Sequence, residues 1–147
     1  MQSRLLNESD GGLRTFAVIF DKGDEPKSGL EEFAREHDVD GASLTAIGAF
    51  QEATLAYFHP DAFEYRDIPI AQQVEVLSLV GDIALNDGEP EVHAHVVVGR
   101  EDGTTAGGHL KAASVWPTLE VVVTETPSHL QKTVDEETGL ALIDLDA

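Results

Sequence analysis

The run Val92 to Leu110, VHAHVVVGREDGTTAGGHL, holds three of the chain's six histidines. Side chains alternate faces along a strand, so His93 and His95 project to one side, about 7 Å apart, close enough for both imidazoles to reach one ion. Whether His109 joins them depends on the hairpin register. With Asp102-Gly103 as a two-residue loop, His95 faces Leu110 and His109 points to the opposite face. With Glu101-Asp102-Gly103 as a three-residue loop and Gly103 left-handed, His95 sits opposite His109 and a three-histidine face forms. Glycine is the residue wanted at the left-handed position, and a bulge at Gly107-Gly108 would restore the same face. Three neutral imidazoles with an open position make the pattern of catalytic zinc and suit other divalent transition metals. The alternative is that the three are polar strand residues or hydrogen-bonded packing at an interface.

Carboxylates close to this face would orient ligands or carry protons. Glu75, Asp82 and Glu120 lie within otherwise apolar strands, and Glu120 is the candidate catalytic acid or base. Arg100 and Lys111, on or near the hairpin, are candidates for binding an anionic substrate. His37 reads as a favourable charge at a helix C-terminus, and His59 and His129 as solvated loop neighbours. Trp116 reads as packing. There is no P-loop, dinucleotide fingerprint or G-x-S-x-G elbow, and without cysteine there is no thiolate zinc site, disulfide or Cys nucleophile. Any metal must be held by histidine and carboxylate.

The elements that position these residues are mostly strands. The first ten residues are polar, and residues 1–12 are expected to fray. Leu13 to Phe20, LRTFAVIF, reads as a largely buried strand. Ser28 and Glu31 form a capping-box pattern before the apolar stripe Leu30, Phe33, Ala34 and Val39, which predicts the one long helix, of about ten residues. Ala42–Ala49 and Ala53–Phe58 read as strands, with a bulge or tight turn at Gly48, and His59–Ile70 as a surface loop. Gln73–Leu85 is apolar on both alternating faces, which predicts a strand covered on both sides or one lying in a subunit contact. Asn86-Asp87-Gly88 is a hairpin turn leading into the strand Val92–Gly99, followed by Thr104–Ala113 and Thr118–Thr124. The acidic tail from Pro127 turns near Thr138-Gly139 before the short apolar segment Leu140–Leu145. The expected fold is α+β, mainly antiparallel strands with one helix packed on the sheet, in a single domain over residues 1–147.

Composition limits the partners. The 147 residues carry 28 acids against 9 Lys and Arg, a formal net charge of −19. The excess is spread along the chain and is not confined to the C-terminal tail. Such a field repels a phosphate backbone, which disfavours unassisted DNA binding, and suits a medium of high ionic strength. A hydrophobic share of 41% supports a real core. No apolar run reaches the roughly 18 residues of a membrane helix and no secretory leader is visible, so no membrane partner and a cytoplasmic address are expected.

The segments GASLTAIGAFQEATLAYF and EVLSLVGDIALNDGEPEVHAHVVVGREDGTTAGGHLKAASVWPTLEVVVTE resemble the plants and prokaryotes conserved (PPC) domain, from about Thr15 to Leu145. The most specific part is V-H-x-H-V followed by D-G and G-G-H-L. The resemblance implies a compact domain of antiparallel strands assembled as a homotrimer, with zinc held by His93, His95 and His109. It also implies an association with DNA, through the plant members' AT-hooks, but the Arg-Gly-Arg core of such a hook is missing here. The fold is further similar to that of acetolactate decarboxylase, a zinc enzyme with a His-x-His and a third His. By that analogy the alternative is a lyase or hydrolase acting on a small carbonyl or carboxylate compound.

Overall fold

The computed structural model describes residues 1–127 and 129–147. Ten elements follow in order: β1 (Gln2–Glu8), β2 (Arg14–Asp21), α1 (Pro26–Glu36), β3 (Gly41–His59), β4 (Glu64–Ile70), β5 (Val74–Asn86), β6 (Glu89–Gly99), β7 (Thr105–Glu125), β8 (Gln131–Val134) and β9 (Ala141–Asp144). All strand pairings are antiparallel except β5 with β8. Strands β3, β5, β6 and β7 pair in a closed cycle, each with the next and β7 back to β3. Closure satisfies the backbone edges of the strands that carry the histidines. The two longest strands, β3 and β7, bend through register shifts and so serve both halves of the sheet.

Burial explains the pleat. Phe16, Val18 and Phe20 of β2, Val92, Ala94, Val96 and Val98 of β6, and Leu119, Val121 and Val123 of β7 all face the core. On β6 this alternation leaves His93, His95 and Val97 on the outer face. The helix closes the core with Leu30, Phe33 and Ala34, and the Phe33 ring meets Phe16 edge-on at 5.2 Å.

Several expectations are corrected. Residues 2–8 do not fray: β1 pairs with β2 along a ladder from Gln2↔Ile19 to Glu8↔Arg14. Backbone pairing holds this strand although all seven side chains are exposed, so its polar sequence carries no burial signal. The helix is not long: it has 11 residues, against 19 and 21 for β3 and β7. It begins earlier than the Ser28–Glu31 pattern implies, because Pro26 needs no amide partner in the first turn and Glu25 caps it, accepting from Ser28 N and Oγ at 2.7 Å each. Glu31 instead accepts from the Val92 amide, at 3.3 Å, tying the helix to β6. The expected loop at 59–70 contains β4, paired with β3 from Ala53↔Ile70 to His59↔Glu64. Pro69 is tolerated because this strand has β3 as its partner on one side only. The two apolar runs around Gly48 form one strand with a bulge there, and β7 likewise runs unbroken from Thr105 to Glu125.

Candidate metal centre

Two turns set the geometry. Asp87 and Gly88 both take positive φ, 50° and 81°, so the two-residue loop between β5 and β6 places Asp82 opposite His93 and Val80 opposite His95. At the next turn Gly103 has φ of 82°, and its amide donates to Arg100 O at 2.9 Å. The loop is therefore Glu101-Asp102-Gly103, and His95 pairs with His109. Of the two registers open to the sequence, the chain adopts the one that makes a three-histidine face.

His93, His95 and His109 each present one ring nitrogen within 4.8 Å of the other two. His93 Nε2 and His109 Nδ1 are already 3.2 Å apart. Two nitrogens on one tetrahedral zinc, each about 2.0–2.1 Å from the ion, sit about 3.3 Å from each other. His95 offers its nitrogen within 4.8 Å of both. The His95 and His109 rings meet at 4.2 Å between centroids, and the Tyr65 ring stands edge-on to His109 at 4.9 Å.

Electrostatics favour the neutral form of two of these imidazoles, His95 and His109. Desolvation, then the neighbouring His95 and His93, push His109 down to about 4. Desolvation and His93 also lower His95, against a smaller opposing pull from Asp82. Neutral imidazole is the form that binds a metal, so this crowding favours the ligand state of His95 and His109 over protonation. The donor set fits an imidazole-binding divalent ion.

Behind the rings, Asp82 Oδ2 lies 3.6 Å from His93 Nδ1, placed to orient that ring with Nε2 toward the other histidines. Beside them is a hollow of about 310 Å³ whose lining includes Lys27, Tyr65, Glu91, His93, His109 and Lys111. Lys111 is paired with Asp67 at 2.8 Å. Desolvation and then Glu91 raise the Tyr65 hydroxyl, leaving it a hydrogen-bond donor at the rim.

The other expected site residues lie elsewhere. Glu120 is paired between Ile19 of β2 and Ile47 of β3, in a shallow apolar groove, and Glu75 is opposite Gly99 at the far end of the hairpin. Arg100 sits at the hairpin tip with Thr104. Of the three carboxylates only Asp82 reaches the histidines, a result the Asn86–Gly88 turn could have supplied by the same counting used for the other hairpin. His37 ends the helix and packs on Phe33 and Phe16, and half-exposed Trp116 carries the Lys22 ammonium 4.1 Å above its ring. Tyr65 and Glu91, which line the hollow, carry no such signal in the sequence, the first because its strand reads as a loop.

Fold and site together define an antiparallel α+β domain with a preformed three-histidine face. The sequence matches the Plants and Prokaryotes Conserved (PCC) domain over residues 7–127, and the chain belongs to that family, the one its histidine hairpin resembles. A solved structure from Bacteroides thetaiotaomicron, named as a candidate DNA-binding protein, superposes with a TM-score of 0.88 at 26% identity and 99% coverage of both chains. A metal-containing protein from Archaeoglobus fulgidus is 33% identical with a TM-score of 0.82, over 88% of this chain and 91% of the other. Acetolactate decarboxylase from Bacillus subtilis shares the fold more distantly, with a TM-score of 0.53 at 12% identity over 75% of this chain and 52% of that one. The bifunctional protein GlmU of a Synechococcus strain is 32% identical over 118 residues, which are 79% of this chain but 18% of that protein. The chain thus spans under a fifth of that relative.

Proposed function

We propose that this is a metal-binding PCC-domain protein in which His93, His95 and His109 hold one zinc ion, acting as a cytoplasmic homotrimer in a regulatory or DNA-associated role. The observation that carries the metal reading is the 3.2 Å separation of His93 Nε2 and His109 Nδ1, with His95 beside them on the same face. The metal-containing relative supports it. Elemental analysis of the untagged protein tests it. One zinc per chain, lost in each of His93→Ala, His95→Ala and His109→Ala, is expected; absence of metal after zinc reconstitution overturns it.

Assembly is supported by an open apolar face. Ile47, Leu77, Val80 and Val122 line the groove that also holds Glu120 and are 61%, 49%, 52% and 42% exposed. Strand β5 is therefore apolar on both faces with only one covered by its own chain, as a subunit contact requires. His95 pairs beside Val80, so this face runs up to the histidines. Sedimentation at micromolar concentration should show a trimer; a monomer refutes this part.

The DNA association rests on the solved relative named for it, and the net charge of −19 opposes it. A labelled duplex titrated across salt concentrations decides, since phosphate contacts give an affinity that falls steeply with salt.

A second reading is favoured by the hollow beside His93 and His109. There a small carbonyl or carboxylate compound could lie between the histidines and Lys27 and Lys111. A bound divalent ion would supply Lewis-acid polarisation or a lowered pKa of water. The chain's own contribution would be to orient the anion through the two lysines and to donate a hydrogen bond from Tyr65. Asp82 is the carboxylate in reach of a histidine, whereas Glu120 would need a neighbouring subunit to bring it near. Turnover by zinc-loaded protein of one compound in a panel of 2-oxo and 2-hydroxy acids would establish this reading.

A further inference from the structure

The C-terminal hairpin β8–β9 lies outside the family match, which ends at residue 127, yet it delivers a charge to the rear of the histidine site. Strand β8 runs parallel to the end of β5, with Asn86 beside Lys132, and the Leu85 amide donates to Leu130 O at 2.7 Å. This docking buries Lys132, whose side chain is 2% exposed, and Lys132 is the one buried charged or polar residue among the described residues. Its ammonium sits 3.2 Å from Glu91 Oε1 and 3.8 Å from Asp82 Oδ1. The Asp82 oxygen is fully buried and has no hydrogen-bond partner, so the ammonium is the charge that compensates it. The other oxygen of the same carboxylate faces His93 Nδ1. Glu91 is fixed in turn: desolvation would raise its carboxyl, but the Asn86 hydrogen bond at 2.7 Å and Lys132 outweigh it and hold it below the usual range.

We propose that Lys132 is a positioning residue for the metal centre: through Asp82 it fixes the His93 ring, so that docking of the C-terminal hairpin and metal binding are coupled. The inference rests on the metal reading above and adds to it a part of the chain that contributes no ligand. The physical chain is short. An ammonium anchors one carboxylate oxygen, the rigid carboxylate presents the other to Nδ1, and Nε2 is left toward the ion. Outer partners of metal-bound histidines typically govern affinity by about tenfold to a hundredfold. Coupling is also reciprocal, so zinc must tighten the hairpin as much as the hairpin favours zinc.

The test is a thermodynamic cycle on the full chain, with zinc affinity measured by competition against a chromophoric chelator for wild type, Lys132→Met, Asp82→Asn and the double variant. If Lys132 acts through Asp82, Lys132→Met weakens zinc about tenfold on its own and adds almost nothing in the Asp82→Asn background. Unchanged affinity in Lys132→Met, or full additivity in the double variant, overturns the proposal. In the zinc-free protein, ¹⁵N spectra should show His93 protonated on Nδ1 in wild type and a mixture of tautomers in Lys132→Met. Because loss of a buried cation can unfold the chain, the decisive companion uses wild type alone. Amide exchange at residues 131–134 should slow when zinc is added, and exchange indifferent to zinc refutes the coupling. Failure of wild type to bind zinc removes the metal reading itself, whereas zinc binding indifferent to Lys132 removes this inference alone.

Discussion

Gly107 and Gly108 precede His109 and differ sharply in what surrounds them. A Cβ on Gly108 would stand 2.6 Å from the Ala56 carbonyl oxygen and 3.3 Å from its carbon, all of it backbone of β3. One on Gly107 would be 3.3 Å from Val96 O and 3.6 Å from a Val97 methyl. Gly108→Ala therefore forces β7 and β3 apart by about 0.8 Å, to bring that contact from 2.6 Å to an ordinary 3.4 Å, and overpacking of this kind costs about 2 kcal/mol. In a chain of this size that lowers Tm by about 4–8 °C. The shift falls where His109 pairs with Ala56. Metal–ligand distances tolerate only about 0.2 Å, so zinc affinity should fall at least about tenfold even in molecules that remain folded. Gly107→Ala needs a few tenths of an ångström and should change stability by less than about 0.5 kcal/mol, with zinc affinity preserved. Thermal melts of the zinc-free proteins and chelator competition on the same samples test the pair. Equal melts and equal zinc affinities for the two variants would refute the reasoning.

Three further outcomes are expected. His109 titrates at about 4 in the folded protein against 6.5 when free, so between these values the unfolded chain binds the extra proton and zinc-free stability must fall as pH drops from 6.5 toward 4. Urea midpoints across that range should show this, and His109→Phe should flatten the dependence. Glu125 receives Arg14 Nε at 2.9 Å and the Arg14 amide at 2.7 Å, and the Arg14 hydrogen bond holds its carboxyl down against desolvation. That stabilisation is complete above the ordinary value of 4.5 and is lost as pH falls through the depressed one; Glu125→Gln should cost about 1.5–3 kcal/mol near neutrality and almost nothing in strong acid, read by urea unfolding. If the proposed trimer forms through the open apolar face, Val80→Glu should leave a monomer in sedimentation with unchanged circular dichroism, and equal sedimentation of variant and wild type would remove that face from the contact.

Local features were legible in the amino-acid sequence. Alternation along Val92–Gly99 put His93 and His95 on one face, turn chemistry at Gly103 narrowed the second hairpin to two registers of which one brings His109 to that face, and the absence of cysteine confined any metal to imidazole and carboxylate. These follow from period-two geometry and from which residues tolerate positive φ, and neither needs a distant contact. The remaining features are non-local and came from the packing of distant segments. β1 is a strand through its backbone ladder, since its side chains bury nothing, and β4 pairs in spite of Pro69. Lys132, about forty residues beyond the first histidines, became a buried cation because β8 docks in parallel on β5. Burial and charge compensation depend on which surfaces meet, and one chain's periodicity does not encode that.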